Sequence, residues 1–85
     1  MKANPNRPKI IEVYLVPGGT VSPDIFNLPC VRSAHKEKDG RAFYICVVDR
    51  DSKEYAYEND YIFKLEDGSW WVLSAEEYHK YNLNL

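Results

Sequence analysis

The stretch RAFYICVVD, residues 41–49, carries an apolar side chain at every position from Ala42 to Val48. Aromatic and β-branched residues dominate the run, which favours a strand over a helix. An unbroken apolar run of this length is typical of a strand that is covered, or nearly covered, on both faces. We therefore predict the central strand of the fold here and place the other elements around it.

Segments on both sides of this run predict further strands. The first, residues 9–16 (KIIEVYLV), is rich in β-branched residues and is stopped by Pro17-Gly18-Gly19. Near the other end, the Asp67-Gly68 pair is a common two-residue hairpin turn between alternating segments. The downstream strands predicted in this way are residues 53–57, 61–65 and 70–73.

Capping patterns predict two short helices. Ser22-Pro23-Asp24 combines an N-cap, a proline at the first helical position and an acid in the first turn, which predicts a short helix near residues 23–28. Ser74 and Glu77 form a capping box, so a second helix should begin at Ala75 and reach about Tyr81, with Tyr78 and Tyr81 facing the sheet.

The intervening polar segment, residues 31–41 (VRSAHKEKDGR), predicts a loop or hairpin end with its turn at Asp39-Gly40. Together these elements predict one α+β domain over residues 1–85. Its core is a meander of about four to five antiparallel strands with a short C-terminal helix.

Composition narrows the function mainly by exclusion. The chain has 85 residues and a formal net charge of −2, which suits one small folded domain. No apolar run approaches the length of a membrane helix and no secretory signal is evident, so we expect a cytoplasmic protein without a membrane partner. Cys30 and Cys46 are too few for a disulfide framework and are predicted to be buried free thiols.

Motifs for catalysis or metal binding are missing from the sequence. Cys30, Cys46, His35 and His79 lack the spacing of a zinc site, and no nucleophile elbow, metalloprotease motif or phosphate-binding glycine loop is present. Acidic residues near turns are typical local acceptors for backbone amides. We therefore expect no enzyme activity, no metal and no cofactor.

Tyrosines and carboxylates are concentrated in the second half of the chain. Alternation in residues 53–57 puts Tyr55 and Tyr57 on one side and Glu54 and Glu58 on the other. Residues 42–85 hold 9 acidic and 4 basic side chains, which disfavours direct contact with nucleic acid. An acidic, aromatic surface instead suits a basic protein, including one that binds nucleic acid. The predicted contact residues are Glu54, Tyr55, Tyr57, Glu58, Asp60 and Trp71.

Two alternatives remain open. In one, aromatic rings stack on a nucleotide-like signal molecule whose phosphates are held by basic residues of the first half. The candidate residues are Arg32, Lys36, Lys38 and Arg41. In the other, the chain is a structural or assembly protein whose exposed strand edge pairs with a second copy. Homodimerisation is compatible with every one of these functions.

Several short segments resemble small phage and prophage proteins of mostly unassigned function. The segments are RPKIIEV at residues 7–13, YENDYI at 57–62, DGSWWVL at 67–73, and Glu77, Tyr78 and Tyr81. The likeness covers about the first dozen residues and most of Phe43 to Tyr81. Asn59 departs from it, because those proteins usually have glycine there, and the exchange is tolerable at a position of positive φ.

This resemblance implies a phage-associated protein that acts in the cytoplasm of a bacterial host. Small acidic proteins from such sources often bind and block host factors. By this analogy the chain is a non-enzymatic inhibitor of a host defence protein, such as a CRISPR effector or another nuclease.

Overall fold

A computed structural model describes residues 9–48 and 51–83 of the chain and, in that part, shows six strands and two short helices. The strands form two three-stranded antiparallel sheets, in the orders β1-β5-β6 and β2-β3-β4. The elements are β1 (Ile10–Leu15), α1 (Pro23–Phe26), β2 (Val31–Lys36), β3 (Ala42–Val48), β4 (Ser52–Ala56), β5 (Tyr61–Leu65), β6 (Trp70–Leu73) and α2 (Ala75–Leu83).

The α+β class, the antiparallel pairing and the C-terminal helix are confirmed, but the single meander of four to five strands is wrong. Only β2-β3-β4 is a meander, and β1 pairs with β5 instead of its neighbour in sequence. The turn at residues 57–60 carries the chain from one sheet to the other. There the Val16 N–H donates to the Asp60 carbonyl and the Asn59 N–H to the Val16 carbonyl, both at 2.9 Å. Asn59 has a φ of 72°, a backbone conformation that asparagine tolerates better than most residues other than glycine.

Of the two alternatives predicted for residues 31–41, a loop or a hairpin end, the structure shows the hairpin, with residues 31–36 in strand β2. It pairs with β3 through the registers Ser33 to Ile45 and His35 to Phe43, with an irregularity at Arg32. The sequence of β2 does not look like a strand because it is mostly polar. Such a sequence can still form a strand here, since only one face of β2 points into the core and β3 supplies its backbone hydrogen-bond partners. The turn predicted at Asp39-Gly40 is confirmed, with Gly40 at a φ of 90°.

The inner faces of the two sheets enclose the main core. Tyr44 and Cys46 of β3 and Ile62 of β5 are fully buried there. The Tyr44 hydroxyl accepts a 2.7 Å hydrogen bond from the Ser22 N–H, which ties the start of α1 to the central strand of its sheet. Both cysteines are free and buried in this core, as predicted.

Helix α2 packs on the outer face of the β1-β5-β6 sheet. Tyr78 is buried and stacks on Tyr61 with ring centroids 4.2 Å apart. The predicted cap is present in part: the Glu77 N–H donates to Ser74 Oγ, while the Ser74 hydroxyl, not its N–H, donates to the Glu77 carboxylate. The side chain of Tyr81 lies outside the described part of the structure. No helix in the described residues is long and apolar enough to cross a membrane.

We predict that Tyr44→Phe lowers the free energy of unfolding by about 1–2 kcal/mol, because the Ser22 N–H loses its partly buried acceptor. Urea unfolding of the full chain measures this change. Tyr14→Phe is the matched control, since the Tyr14 hydroxyl donates to the exposed Glu12 carboxylate and should contribute little. Equal effects of the two substitutions would contradict the role assigned to the Tyr44 hydroxyl.

Candidate binding face

The outer face of the β2-β3-β4 sheet presents a continuous row of aromatic and aliphatic side chains. Because successive strand residues point to opposite faces, burial of Tyr44 and Cys46 turns Phe43, Ile45 and Val47 outward. These three side chains are half-buried, so the outer face of β3 is partly covered while its inner face is fully buried. This surface, hereafter the aromatic face, is formed by Ser33, His35, Phe43, Ile45, Val47, Lys53, Tyr55 and Tyr57.

Phe43 is the centre of a stack of four rings. Its ring centroid lies 5.2 Å from that of His35 on β2 and 5.2 Å from that of Tyr57 just after β4. The Tyr55 ring lies 5.5 Å away and is nearly parallel, with an interplanar angle of 6°. Tyr55 is 52% exposed. An exposed aromatic cluster on a rigid sheet is the kind of surface that supplies binding hot spots.

The two ends of the aromatic face differ in charge. At one end the Arg41 guanidinium lies 5.9 Å from the centroid of the Tyr57 ring. It forms ion pairs with Asp39 at 3.0 Å and Glu37 at 3.2 Å, so its charge is largely compensated. The Arg41 backbone N–H also donates to Asp39 and lowers the pKa of that carboxyl.

At the other end Lys53 lies opposite Val47, and no described carboxylate forms an ion pair with it. Between the two ends the polar groups are Ser33 Oγ and His35 Nε2, 2.9 Å apart. The middle of the face is therefore apolar and aromatic. At its rim lie Arg41, which is paired with two carboxylates, and Lys53, which forms no ion pair with a described residue.

Of the residues predicted to contact a partner, only the two tyrosines lie on this face. Glu54 is registered with Cys46, whose side chain is in the core, and so projects from the opposite side of β4. Glu58 is exposed in the turn that follows. The sheet thus separates the aromatic rings from the Glu54 carboxylate that was grouped with them.

Asp60 and Trp71 have local structural partners. The Tyr57 N–H donates to the Asp60 carboxylate at 2.8 Å, which closes the turn between β4 and β5. Trp71 packs with Phe63 and Tyr78 on the outer face of the other sheet, and its indole N–H donates to Ser69 Oγ. Trp70 projects to the inner face, where it stacks on Tyr14, so the two tryptophans point in opposite directions, as neighbouring residues of a regular strand do.

The four basic residues of the alternative site are all exposed, but they do not share one position. Arg32 lies at the irregularity in β2, next to Ser33, and Lys36 ends that strand. Lys38 is in the hairpin turn, and Arg41 lies beside the Tyr57 ring. Arg41 is therefore the member of this set that meets the aromatic stack.

Sequence reasoning missed His35, Phe43, Ile45 and Val47 as surface residues. The sequence places His35 in a loop or hairpin end, and it places the three β3 residues in a strand that is covered, or nearly covered, on both faces. Alternation in β2 was the available signal: pairing residues 31–36 with β3 places Ser33 and His35 beside the outward residues of β3.

In the described residues no group of three or more His, Cys, Asp or Glu side chains is arranged to hold a metal ion. Comparisons with known proteins found no matching family model, no similar curated protein and no similar solved structure. The function proposed below therefore rests on this site and on the sequence.

We predict that the free energy of unfolding of Asp60→Asn increases relative to that of wild type as pH rises from about 3 to about 7. Burial raises the pKa of Asp60, the Tyr57 N–H opposes this shift, and the charge of Glu77 adds to it. The pKa of Asp60 is higher in the native state than in the unfolded state. Its contribution to the stability of the native state is therefore fully present below the unfolded-state pKa and is lost as pH rises through the native-state pKa. Asparagine keeps an acceptor for Tyr57 without that charge.

Unfolding of wild type and Asp60→Asn across this pH range checks the prediction. Asp60→Ala serves as the control, because it removes the acceptor and should destabilise the turn at every pH. A stability difference between wild type and Asp60→Asn that does not change with pH would contradict it.

Proposed function

We propose that this chain is a non-enzymatic protein-binding protein and that the aromatic face is its binding surface. The observation that carries the proposal is the stack of His35, Phe43, Tyr55 and Tyr57 on the outer side of a three-stranded sheet. Aromatic rings fixed by cross-strand packing lose little entropy on binding and bury large apolar area. Lys53 and Arg41 form a polar rim, as is usual around such a patch.

The composition of the face favours a protein over a nucleic-acid strand as its partner. Single-strand binding needs several cations along the rings to follow the phosphates. Here Arg41 is compensated by two carboxylates, and the centre includes the aliphatic side chains of Ile45 and Val47. Aliphatic and aromatic groups in the middle with mixed charges at the edge match the composition of a protein interface.

The more specific proposal is a phage-associated inhibitor of a host defence protein, such as a CRISPR effector or another nuclease. It is supported by the resemblance of residues 57–62 and 67–73 to phage and prophage proteins. Because Glu54 projects from the other side of β4, the aromatic face makes the main contact in this proposal. The carboxylates of Glu54 and Glu58 reach a basic partner only at its margin.

We predict that Tyr55→Ala combined with Tyr57→Ala lowers the capture of the bound protein by about tenfold or more, because both rings belong to the stack. The measurement is a pull-down from a bacterial host lysate with the tagged full chain, followed by titration with the purified partner. Circular dichroism and thermal melting establish that the double variant is folded.

Glu54→Gln is the matched control, because it lies on the same strand but points to the opposite side. The proposal requires that wild type captures one protein in stoichiometric amounts. Glu54→Gln should still capture that protein, and the double tyrosine variant should not. Equal capture by wild type and the tyrosine variant would remove the aromatic face from the site. Loss with Glu54→Gln alone would move the site to the other side of β4.

The nucleotide-like ligand is a second candidate, favoured by one observation. The near-parallel rings of Phe43 and Tyr55 offer a stacking surface, and Arg41 lies at its rim over Tyr57. Analysis of small molecules in the same pull-down distinguishes it: a bound nucleotide without a protein supports this candidate and contradicts the protein-binding proposal.

The homo-oligomer is favoured by the edge strand β1, whose Ile11, Val13 and Leu15 are 53%, 43% and 53% exposed. Such an edge can pair with a second copy. This candidate predicts a dimer in light scattering that Val13→Lys converts to a monomer and that Glu12→Gln leaves intact. A monomeric wild-type chain at all concentrations would exclude it.

A further inference from the structure

The two cysteines meet in the core beneath the aromatic face. Cys30 immediately precedes β2 and Cys46 lies in the middle of β3, and both belong to the main buried cluster. Backbone pairing holds the two segments together, because the Val47 N–H donates to the Cys30 carbonyl at 2.8 Å and Val31 lies opposite Cys46.

The two thiols affect each other's acidity, since hydrogen bonding between them lowers the pKa of Cys30 and raises that of Cys46. Cysteines can be bridged without backbone movement only when they are close and their side chains point toward one another. The backbone pairing of their segments and their place in the same buried cluster bring the two side chains together.

We propose that Cys30 and Cys46 are the site of an intramolecular disulfide, formed by exchange with a low-molecular-weight disulfide, that locks the start of β2 to β3. The Cys30 thiolate attacks one sulfur of the small disulfide and releases one small thiol. Cys46 then loses its proton and attacks the Cys30 sulfur, which releases the second small thiol. Two protein S–H bonds and one S–S bond become one protein S–S bond and two small thiols.

Cys30 is the first nucleophile for two reasons. It is 6% exposed while Cys46 is fully buried, so it is the thiol that a reagent reaches first. In addition, the hydrogen bond from Cys46 lowers the pKa of Cys30, whereas the same hydrogen bond and burial raise the pKa of Cys46. The thiolate is the reactive form.

The disulfide closes a loop that contains β2 and the β2–β3 hairpin. This is the part of the sheet with the weakest strand-forming sequence, and it supplies His35 to the ring stack. A covalent link at its base should hold the hairpin in register and stabilise the native state by restricting the unfolded chain. This inference is independent of the proposed function, since it concerns only the two thiols and their strands.

The test treats the native full-length chain with oxidised glutathione and measures intact mass, free thiols and thermal melting. We expect a mass decrease of two hydrogens and loss of both thiols. The melting temperature should rise by roughly 10 °C or more, a shift that dithiothreitol reverses.

Cys30→Ala and Cys46→Ala are the matched controls, since each keeps one thiol and should show no oxidative rise in melting temperature. If either fails to fold, the wild-type measurement decides the proposal by itself. Retention of both thiols, stable glutathione adducts, disulfide-linked dimers or a lower melting temperature after oxidation would each overturn it.

Discussion

The inward orientation of Tyr44 and Cys46 is the constraint on which the rest of the structure depends. Tyr44 is fully buried, and its hydroxyl is satisfied by the Ser22 N–H, so β3 cannot slip by one residue without exposing a large ring and orphaning a backbone donor. The same alternation leaves Phe43, Ile45 and Val47 on the outside. The aromatic face is therefore a direct geometric consequence of the core.

The outer faces of the two sheets differ in what covers their central residue. Phe63, at the centre of the β1-β5-β6 sheet, is 1% exposed because α2 lays Tyr78 against it. Phe43 has the comparable position in the β2-β3-β4 sheet but stays half-buried, and among the described residues its ring contacts are with His35, Tyr55 and Tyr57. A helix covers the centre of one outer face and ring stacking covers the centre of the other, which is why the proposed binding surface is placed on the second.

Backbone pairing also decides which charges accompany the rings. Lys53 shares the outer side of β4 with Tyr55, while Glu54 between them projects the other way. The acidic and aromatic residues of this segment therefore do not form one surface: Tyr55 lies on one side of β4 and Glu54 on the other. The free thiols of Cys30 and Cys46 lie in the core, on the buried side of this sheet and away from the ring stack.

Local elements of this fold can be read from short stretches of sequence. The Asp67-Gly68 hairpin, the strands at 61–65 and 70–73, the start of α2 and the opposite directions of Trp70 and Trp71 follow from turn chemistry, capping and the two-residue period of a strand, which act over a few neighbouring residues. Three features cannot be read in this way: the strand β2, the pairing of β1 with β5, and the partial exposure of one side of β3. These depend on partners distant in the chain: β3 supplies the hydrogen bonds that polar β2 needs, and the turn at 57–60 sends β5 to a different sheet. The apolar run of β3 looked doubly covered because burial against another sheet and stacking among exposed rings select the same residue types.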